Sequence, residues 1–318
     1  MASELRILLL GAGGFVGRHL LVELREHFGS SAKVRPTGLT ARPGIRPLDL
    51  TDAAALRAAI GDFRPTHVFN LAGIAAPAAA RRDPDMAWRL HAQAPERLGR
   101  ILMEGAPECW LLQVGSGLVY GRAAAHGQPV DERTAPIPMD PYGVTKAAGD
   151  LALGALACDG LKCVCLRPFN HTGPGQAEDF AIPAFAAQIA RIERGAQAPV
   201  LRVGNLDAIR DFLDVRDVVR AYSGLVAASL GDGAPSLSGR ILNVASGTGS
   251  RMRDLLDMLV AQSAVPLTVE PDPARQRASD LPAIVGDASA LQDRTGWAPQ
   301  IPLEDTMRAV LDYFRTAA

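Results

Sequence analysis

A tyrosine and a lysine four residues apart offer the clearest chemistry in this sequence. Tyr142 and Lys146 are one helical turn apart, so on a helix their side chains share a face. A nearby ammonium favours the phenolate, which predicts a lowered pKa for Tyr142 and a proton donor or acceptor near neutral pH. Ser116 follows a strand-like run and can hydrogen-bond a reacting oxygen. By itself, the Tyr-Lys pair is more typical of a solvated helix face, so the elements around it decide its meaning.

A glycine-rich turn follows the first apolar run of the chain. The segment reads Gly11-Ala12-Gly13-Gly14-Phe15-Val16-Gly17, directly after a strand-like run and at the start of a helical one. In this context Gly11 permits a tight turn, Gly14 lets a pyrophosphate approach the backbone, and Gly17 lets the helix pack on the sheet. Free N–H groups and the helix dipole favour phosphates there. The turn therefore predicts a dinucleotide site, and a ligand-free βα turn is the alternative.

Strand-like apolar runs alternate with amphipathic stretches along the chain. The strand-like runs are residues 6–10, 67–71, 110–114, 162–167 and 241–244. The helical stretches between them include residues 16–28, 53–60, 86–104 and 142–158. This alternation predicts βαβ units and hence an α/β fold, a doubly wound parallel sheet of the Rossmann type with helices on both faces.

Two irregular regions, one after Arg167 and one after Ser246, predict a second and smaller lobe. The predicted dinucleotide-binding domain is residues 1–168 plus 212–246, and the predicted α/β substrate lobe is residues 169–211 plus 247–318. We expect the lobe to lie over the carboxyl edge of the sheet, where doubly wound folds bind ligands. The substrate would then bind between the two lobes.

The composition is that of an ordinary globular protein. Of the 318 residues 48% are hydrophobic and 21% are charged, and the net charge of −1 leaves no electrostatic footprint for nucleic acid or an anionic membrane. The N-terminal apolar run of residues 5–10 is too short for a signal sequence or a membrane span. We therefore expect a cytoplasmic protein with a small-molecule substrate.

The cysteines are expected to be core thiols and not metal ligands. The four are Cys109, Cys158, Cys163 and Cys165. No second cysteine or histidine pair stands at the spacing that zinc requires, so we expect no metal site.

Together these motifs resemble the extended short-chain dehydrogenase/reductases, the NAD-dependent epimerase/dehydratase family, over essentially the whole chain. The resemblance implies that Ser116 orients a carbonyl, that Tyr142 is the general acid/base, and that Lys146 tunes Tyr142 and binds the nicotinamide ribose. It also places the segment Arg167-Pro168-Phe169-Asn170 beside the nicotinamide and the sugar.

Strand ends supply the remaining cofactor contacts. Asp49, at the end of the predicted third strand, can accept from the adenine amino group, although a helix N-cap formed by Thr51 or Asp52 is a comparable explanation. The small residues that end the run at 67–73 suit a sheet edge crossed by a cofactor, or simply a core strand and its loop. The expected cofactor contacts are Gly11, Gly14, Phe15, Val16, Gly17, Thr40, Arg42, Asp49, Leu50, Leu71, Ala72, Gly73, Tyr142, Lys146 and Pro168.

The predicted second strand, residues 33–42, contains no acidic residue that would repel a 2′-phosphate. Thr40 and Arg42 stand where a hydroxyl and a guanidinium can meet that phosphate, and an exposed loop arginine is the alternative. We expect NADPH to be accepted at least as well as NADH.

Later segments, residues 170–176, 203–212 and 277–282, are similar to GDP-6-deoxy-4-keto-hexose reductases, which make GDP-rhamnose, and to GDP-mannose dehydratases. Arg210 and Arg277 can each form a fork on a diphosphate, and Asp280 can accept from ribose hydroxyls. Taken singly, each arginine is as typical of a surface ion pair. The expected substrate contacts are Asn170, Arg202, Asn205, Arg210, Arg277 and Asp280.

Two positions depart from the family pattern. The dehydratases carry acidic residues just after the catalytic hydroxyl, whereas this chain has Gly117 and Leu118, so dehydration lacks its acid. The family's usual helix asparagine is replaced by His91, which either alters the proton relay behind Tyr142 or is a satisfied helix histidine.

The leading hypothesis is an NAD(P)H-dependent 4-keto reductase that converts a GDP-4-keto-6-deoxyhexose into a GDP-6-deoxyhexose such as GDP-D-rhamnose. A nucleotide-sugar 4-epimerase with tightly bound NAD is the first alternative, and a non-catalytic dinucleotide-binding protein is the second. The family resemblance implies a homodimer built on the helices that contain His91 and Tyr142.

Overall fold

The computed structural model describes residues 4–125, 128–231, 233–275 and 281–316. Its strands, numbered along the chain, are β1 (Leu5–Leu10), β2 (Ala32–Gly38), β3 (Arg46–Pro47), β4 (His67–Asn70), β5 (Trp110–Val114), β6 (Cys163–Pro168), β7 (Asn170–Thr172), β8 (Val200–Val203), β9 (Ile209–Asp214), β10 (Arg240–Val244), β11 (Gly249–Arg251), β12 (Thr268–Pro271) and β13 (Ala283–Ile284). Its α-helices are α1 (Phe15–Phe28), α2 (Ala53–Phe63), α3 (Pro77–Arg82), α4 (Pro84–Trp88), α5 (Ala94–Gly105), α6 (Pro141–Cys158), α7 (Ala181–Glu193), α8 (Val215–Ser229), α9 (Met252–Val260), α10 (Ser289–Thr295) and α11 (Leu303–Thr316). Among the described residues, none of the helices is long and apolar enough to cross a membrane.

Within the described residues, seven parallel strands form the central sheet, in the spatial order β10-β6-β5-β4-β1-β2-β3. The chain winds outward in one direction through β2 and β3 and in the other through β4, β5, β6 and β10. The order therefore reverses between β1 and β4, and a crevice opens at their carboxyl ends. The doubly wound α/β fold predicted from the sequence is confirmed.

Strand β1 shows why both faces of this sheet are covered. Successive side chains of a strand point to opposite faces, and here both sets are apolar. Ile7 and Leu9 pack in one cluster with residues of α1 and α8, whereas Leu8 and Leu10 pack in another with residues of α2 and α5. All four side chains are fully or almost fully buried, so β1 forms the centre of the core.

The smaller part of the fold gathers around a third apolar cluster, to which α7, α9 and α11 contribute. There β9 pairs with β7, β11 and β13, and β8 pairs with β12. Leu291 and Trp297, near the C-terminus, pack with the cluster around Ile7 instead. The lobe boundaries named above remain a prediction.

Three local expectations need correction. The second strand ends at Gly38, four residues before the predicted end, because the chain then turns back toward the short strand β3. The predicted helix at 86–104 is divided into α4 and α5 by a π-helical turn at Arg89–Gln93. Cys158 is exposed at the last turn of α6, whereas the other three thiols are buried as expected.

Candidate active site

The glycine turn after β1 has the shape of a phosphate cradle. Gly11 has φ of 82°, and a Cβ there would lie 2.8 Å from the backbone nitrogen of Ala72. A Cβ on Gly17 would overlap the Gly11 carbonyl oxygen, so only glycine lets α1 start this close to the sheet. Gly14 is the N-cap residue of α1, so no side chain caps the first backbone N–H groups of the helix. The first turn of α1 also contains no acidic residue. Its N–H groups are thus oriented for an anion, and the residues fit a dinucleotide pyrophosphate.

Arg42 lies beside this turn, although it is outside the second strand. The Arg42 and Ile45 backbones hydrogen-bond each other in both directions, and Gly44 between them has φ of 75°. This two-residue turn directs the Arg42 side chain back toward the glycine turn. A Cβ on Gly13 would stand 3.8 Å from Arg42 Nη1. Thr40 is exposed on the same connection. The structure therefore brings the Arg42 guanidinium next to the glycine turn. Residues 32–45 contain no carboxylate.

Asp49 is held by its own loop. Its Oδ1 accepts from the Thr51 backbone nitrogen and from the Thr51 hydroxyl, both at 2.8 Å. The N-cap of α2 is Asp52, whose carboxylate accepts from the Ala54 and Ala55 nitrogens. The helix cap expected at Thr51 or Asp52 is therefore Asp52. Asp49 is exposed, and its second carboxylate oxygen remains available for the predicted adenine contact.

Ser116, Tyr142 and Lys146 meet at the carboxyl end of β5. Asp140 caps α6 by accepting from the Gly143 nitrogen at 2.8 Å, which fixes the first turn that carries Tyr142. Lys146 Nζ donates to the carbonyl of Val114 at 3.0 Å and lies 5.9 Å from the centre of the Tyr142 ring. The Ser116 hydroxyl accepts from the Leu118 nitrogen at 3.1 Å and lies close enough to the Tyr142 phenol for a hydrogen bond to lower the pKa of Tyr142. The three predicted catalytic side chains are therefore neighbours in the fold.

The expectation that Lys146 lowers the pKa of Tyr142 is wrong for this structure. Burial raises the pKa of Tyr142 to about 12, and only the hydrogen bond with Ser116 lowers it. Burial also lowers the pKa of Lys146 to about 8, against the charge of Asp150. For Tyr142, loss of hydration exceeds the effect of the hydrogen bond with Ser116. At neutral pH Tyr142 is a protonated phenol, which is the form a proton donor requires.

His91 lies on the π-helical turn Arg89–Gln93, with its ring centre 5.4 Å from that of Tyr142. Its Nδ1 is 2.9 Å from the Thr145 hydroxyl, and its Nε2 is 3.0 Å from the Ile74 carbonyl oxygen. Burial, together with the charge of Lys146, lowers the pKa of His91 to about 3. A neutral imidazole with both nitrogens engaged favours the satisfied helix histidine over a proton relay.

The small residues after β4 line the path between the glycine turn and the catalytic helix. Leu71 and Ala72 lie against Gly11, and a Cβ on Gly73 would stand 3.8 Å from Lys146 Nζ. Leu50 is buried in the apolar cluster that contains Leu8 and Leu10, and Pro168 ends β6 next to β10. The Phe15 ring is parallel to the His171 ring, with 6.2 Å between the two ring centres. Val16 packs against the apolar cluster that contains Ile7. Leu71, Ala72 and Gly73 thus lie between the glycine turn and Lys146, and the full set of cofactor contacts stays a prediction.

The expected substrate residues are spread more widely. Asn170 is exposed on β7, whose partner Phe212 lies two residues beyond Arg210 on β9. Arg210 is half-buried and donates to the Ile209 carbonyl at 2.7 Å. Pairing with β7 therefore brings the start of β9 close to the catalytic strand ends.

Other expected substrate residues lie on or beside the smaller sheet. Asn205 lines a cavity of about 340 Å³ together with Asp207 and Arg253. Arg202 instead forms a surface ion pair of 3.0 Å with Glu270, which links β8 to β12. Arg277 and Asp280 lie outside the described residues.

The two positions after Ser116 hold no acidic side chain, and at Gly117 there is little room for any side chain. A Cβ on Gly117 would lie 3.0 Å from the Phe169 ring, which is buried. Leu118 next to it packs with the apolar residues around Tyr142. Phe169 was not among the predicted site residues. Its position after the end of β6 and directly before Asn170 was the sequence signal that could have identified it.

Asp150 and Arg167 were also missed. They form an ion pair of 2.8 Å with both side chains almost fully buried, and Asp150 is one turn beyond Lys146 on α6. The available signal was the four-residue spacing that had already paired Tyr142 with Lys146.

A doubly wound sheet, a glycine cradle at its switch point and a Ser-Tyr-Lys group beside that crevice define a dinucleotide-dependent enzyme of the short-chain dehydrogenase/reductase type. A model of the NAD dependent epimerase/dehydratase family matches residues 7–245, and the chain belongs to that family.

Individual relatives narrow the comparison. The chain is 36% identical over 310 residues to the GDP-6-deoxy-D-mannose reductase of Pseudomonas aeruginosa, covering 96% of each protein. It is similar to the structure of RMD from Pseudomonas aeruginosa complexed with NADPH, with a TM-score of 0.85 and 31% identity over 99% of this chain and 100% of that one. It is also 27% identical to a UDP-glucose 4-epimerase of Azospirillum brasilense, covering 99% of this chain and 93% of the relative.

Proposed function

We propose that this protein reduces the 4-keto group of a GDP-4-keto-6-deoxyhexose to give a GDP-6-deoxyhexose such as GDP-D-rhamnose. The observation that carries the proposal is the similarity to GDP-6-deoxy-D-mannose reductase at 36% identity over nearly the full length of both chains. The site agrees, because Ser116, Tyr142 and Lys146 meet at one strand end. Gly117 and Leu118 stand after Ser116 where the dehydratases carry acidic residues, so dehydration lacks its acid.

The catalytic roles follow from the geometry of the three side chains. Ser116, next to the phenol, can donate its single hydroxyl proton to the substrate carbonyl oxygen when substrate is bound, which orients the carbonyl for protonation. Tyr142, protonated at neutral pH, donates its proton to the developing alkoxide. Lys146, held on the Val114 carbonyl beside Gly73, is placed to bind the nicotinamide ribose. The reduced nicotinamide, when bound, supplies the hydride.

For the cofactor, we propose NADPH or NADH, with NADPH favoured. The guanidinium of Arg42 is directed toward the glycine turn, and residues 32–45 contain no carboxylate to repel a 2′-phosphate. A guanidinium forms strong charge-assisted hydrogen bonds with phosphate oxygens. The Pseudomonas relative crystallised with NADPH has the same fold over 99% of this chain.

For the substrate, we propose that a GDP-linked sugar lies from the catalytic strand end across β7 to the start of β9. Asn170 and Arg210 are close enough along this path to contact sugar and diphosphate, because β7 and β9 are paired. Asn205 lies further along, at the 340 Å³ cavity. Arg277 and Asp280 remain candidates from the sequence alone.

The test is a turnover assay with GDP-4-keto-6-deoxymannose and NADPH, in which loss of reduced nicotinamide is followed and the product is identified by NMR. We expect stoichiometric cofactor oxidation and a GDP-6-deoxyhexose. Tyr142→Phe should lower turnover by about 100-fold or more. Tyr313→Phe, on helix α11, is the matched control.

A nucleotide-sugar 4-epimerase remains the second candidate, since epimerases are among the full-length relatives. It would copurify with its dinucleotide and interconvert epimers with no net cofactor consumption. A protein that binds dinucleotide and shows neither activity would support the third, non-catalytic hypothesis.

We propose that the protein is a homodimer assembled through α6 and the helical segment that contains His91. Val144 and Leu151 are seven residues apart on α6, hence on one face, and are 39% and 69% exposed. Trp88 on α4 is 42% exposed and lines a surface cavity with Val144. In light scattering, Leu151→Glu should yield monomer, whereas Leu230→Glu, at a leucine 60% exposed after α8, should not. A wild-type monomer at micromolar concentration contradicts the proposal.

A further inference from the structure

A buried carboxylate lies one helical turn behind Lys146. Asp150 is 3% exposed and its Oδ2 accepts from Arg167 Nε at 2.8 Å. Arg167, 2% exposed, is near the end of β6, so the ion pair ties the catalytic helix to the sheet next to the active site. The Arg167 guanidinium also lies over the ring of Tyr120, 4.9 Å from its centre. Burying two charges is costly, so a pair in this position calls for an explanation beyond stability.

Each residue of this ion pair has one buried polar atom without a hydrogen-bond partner. Within the described part of the chain, Asp150 Oδ1 and Arg167 Nη1 are both buried without one. Most buried polar atoms are satisfied, so two such atoms in one pair are unusual. Because Oδ1 accepts no hydrogen bond, the charge of the carboxylate is compensated through Oδ2 alone and acts on nearby groups through a medium of low polarity.

The strand end that carries the active site lies directly on this oxygen. A Cβ on Gly115 would stand 3.1 Å from Asp150 Oδ1, so the carboxylate contacts the backbone between Val114 and Ser116. Val114 supplies the carbonyl that accepts from Lys146, and Ser116 bonds Tyr142. Asp150 therefore adjoins the backbone that positions both partners of the proposed proton donor.

We propose that Asp150 is a positioning residue whose buried carboxylate, anchored by Arg167, keeps the Lys146 ammonium charged and in place on the Val114 carbonyl. This inference rests on the proposed function for its role in turnover. Its physical content, the charge state of Lys146, is measurable without substrate or cofactor.

The other groups near Lys146 cannot replace this carboxylate. Tyr142, on the same helix, is protonated at neutral pH. His91, across from it, is neutral, and its proximity to Lys146 works against a second positive charge. Arg167 on β6 is itself cationic. Burial alone lowers the pKa of Lys146, and Asp150 is the group that raises it, toward a value of about 8.

The chain contains only three lysines, which makes a direct measurement possible. In protein labelled with 15N and 13C at lysine, NMR can follow the titration of each ammonium, with Lys33 and Lys162 as internal references on the surface. Asp150→Asn should move the Lys146 titration downward by about one pH unit or more, the effect of losing a nearby opposite charge. The alkaline limb of kcat/KM should move by the same amount.

Two further variants keep the test decisive. Arg167→Gln removes the anchor that opposes the rise in the pKa of Asp150 caused by burial, so the carboxylate should lose charge and the Lys146 titration should also move downward. This variant decides the question alone if Asp150→Asn does not fold. Asp217→Asn is the matched control, because Asp217 is another fully buried carboxylate paired with an arginine, on the distant helix α8. That variant should destabilise the protein and leave Lys146 unchanged.

The proposal is overturned if Lys146 titrates alike in wild type and in folded Asp150→Asn, or if Asp217→Asn shifts it as much. It is likewise overturned if Arg167→Gln leaves Lys146 unmoved. Failure of the 4-keto reductase assay would leave the NMR titrations unaffected, so the two proposals fail separately.

Discussion

Replacing Arg42 by alanine tests how the chain distinguishes its two possible reductants. The arginine lies on a tight turn after β2, with its guanidinium directed toward Gly13 at the dinucleotide cradle. A 2′-phosphate is the part of NADPH that NADH lacks. The variant should therefore weaken NADPH and leave NADH nearly unchanged.

The size of the effect follows from the exposure of the side chain. A hydrogen bond to a charged group contributes about 1.5–3 kcal/mol. Arg42 is exposed, so solvent and salt screening place its contribution near the lower end of that range. With about 1.4 kcal/mol for each factor of ten, kcat/KM for NADPH should fall about tenfold, mostly through KM.

The assay compares kcat/KM for NADPH and NADH in wild type and Arg42→Ala, at low and at high salt. Arg25→Ala, at an exposed arginine in the last turn of α1, is the matched control and should change neither value. The reasoning is refuted by an equal loss with both cofactors, or by a strong wild-type preference for NADH that Arg42→Ala does not alter.

Further predictions address the proton donor, the substrate and the stability of the fold. Tyr142→Phe should lower kcat by about 100-fold or more while dinucleotide affinity measured by calorimetry is retained, because only the proton donor is removed; retained turnover would contradict the mechanism. GDP should bind more tightly than UDP in calorimetry, and Arg210→Ala should weaken GDP by about 1.5–3 kcal/mol, the range for a charged hydrogen bond; equal affinities for GDP and UDP would return the epimerase to the lead. Burial lowers the pKa of His67 to about 4 in the folded protein, so only the unfolded chain takes up this proton as the pH falls from about 6.5 to 4. The free energy of unfolding should drop over that window by up to about 3 kcal/mol, and His67→Gln should remove this part of the pH dependence in urea titrations.

The elements that could be predicted from the sequence are those specified by neighbouring residues. The apolar run 6–10 and the glycine turn after it indicated a strand, a tight turn and a helix, because side-chain period and backbone freedom are local properties. The four-residue spacing of Tyr142 and Lys146 placed both on one helix face for the same reason. Alternation of such elements then left a doubly wound sheet as the economical fold, with its crevice at the carboxyl ends.

Tertiary structure decided what depends on distant parts of the chain and on burial. It directed Arg42 to the glycine turn although β2 ends at Gly38, because a two-residue turn outside the strand reverses the chain. It also reversed the expected pKa shift of Tyr142, since the loss of hydration depends on how many other elements enclose the phenol. The pairing of Asp150 with Arg167 joins a helix to a strand end 17 residues later, and no local period specifies that contact. Periodicity acts over a few residues, whereas the electrostatic environment of a side chain is set by everything that surrounds it in space.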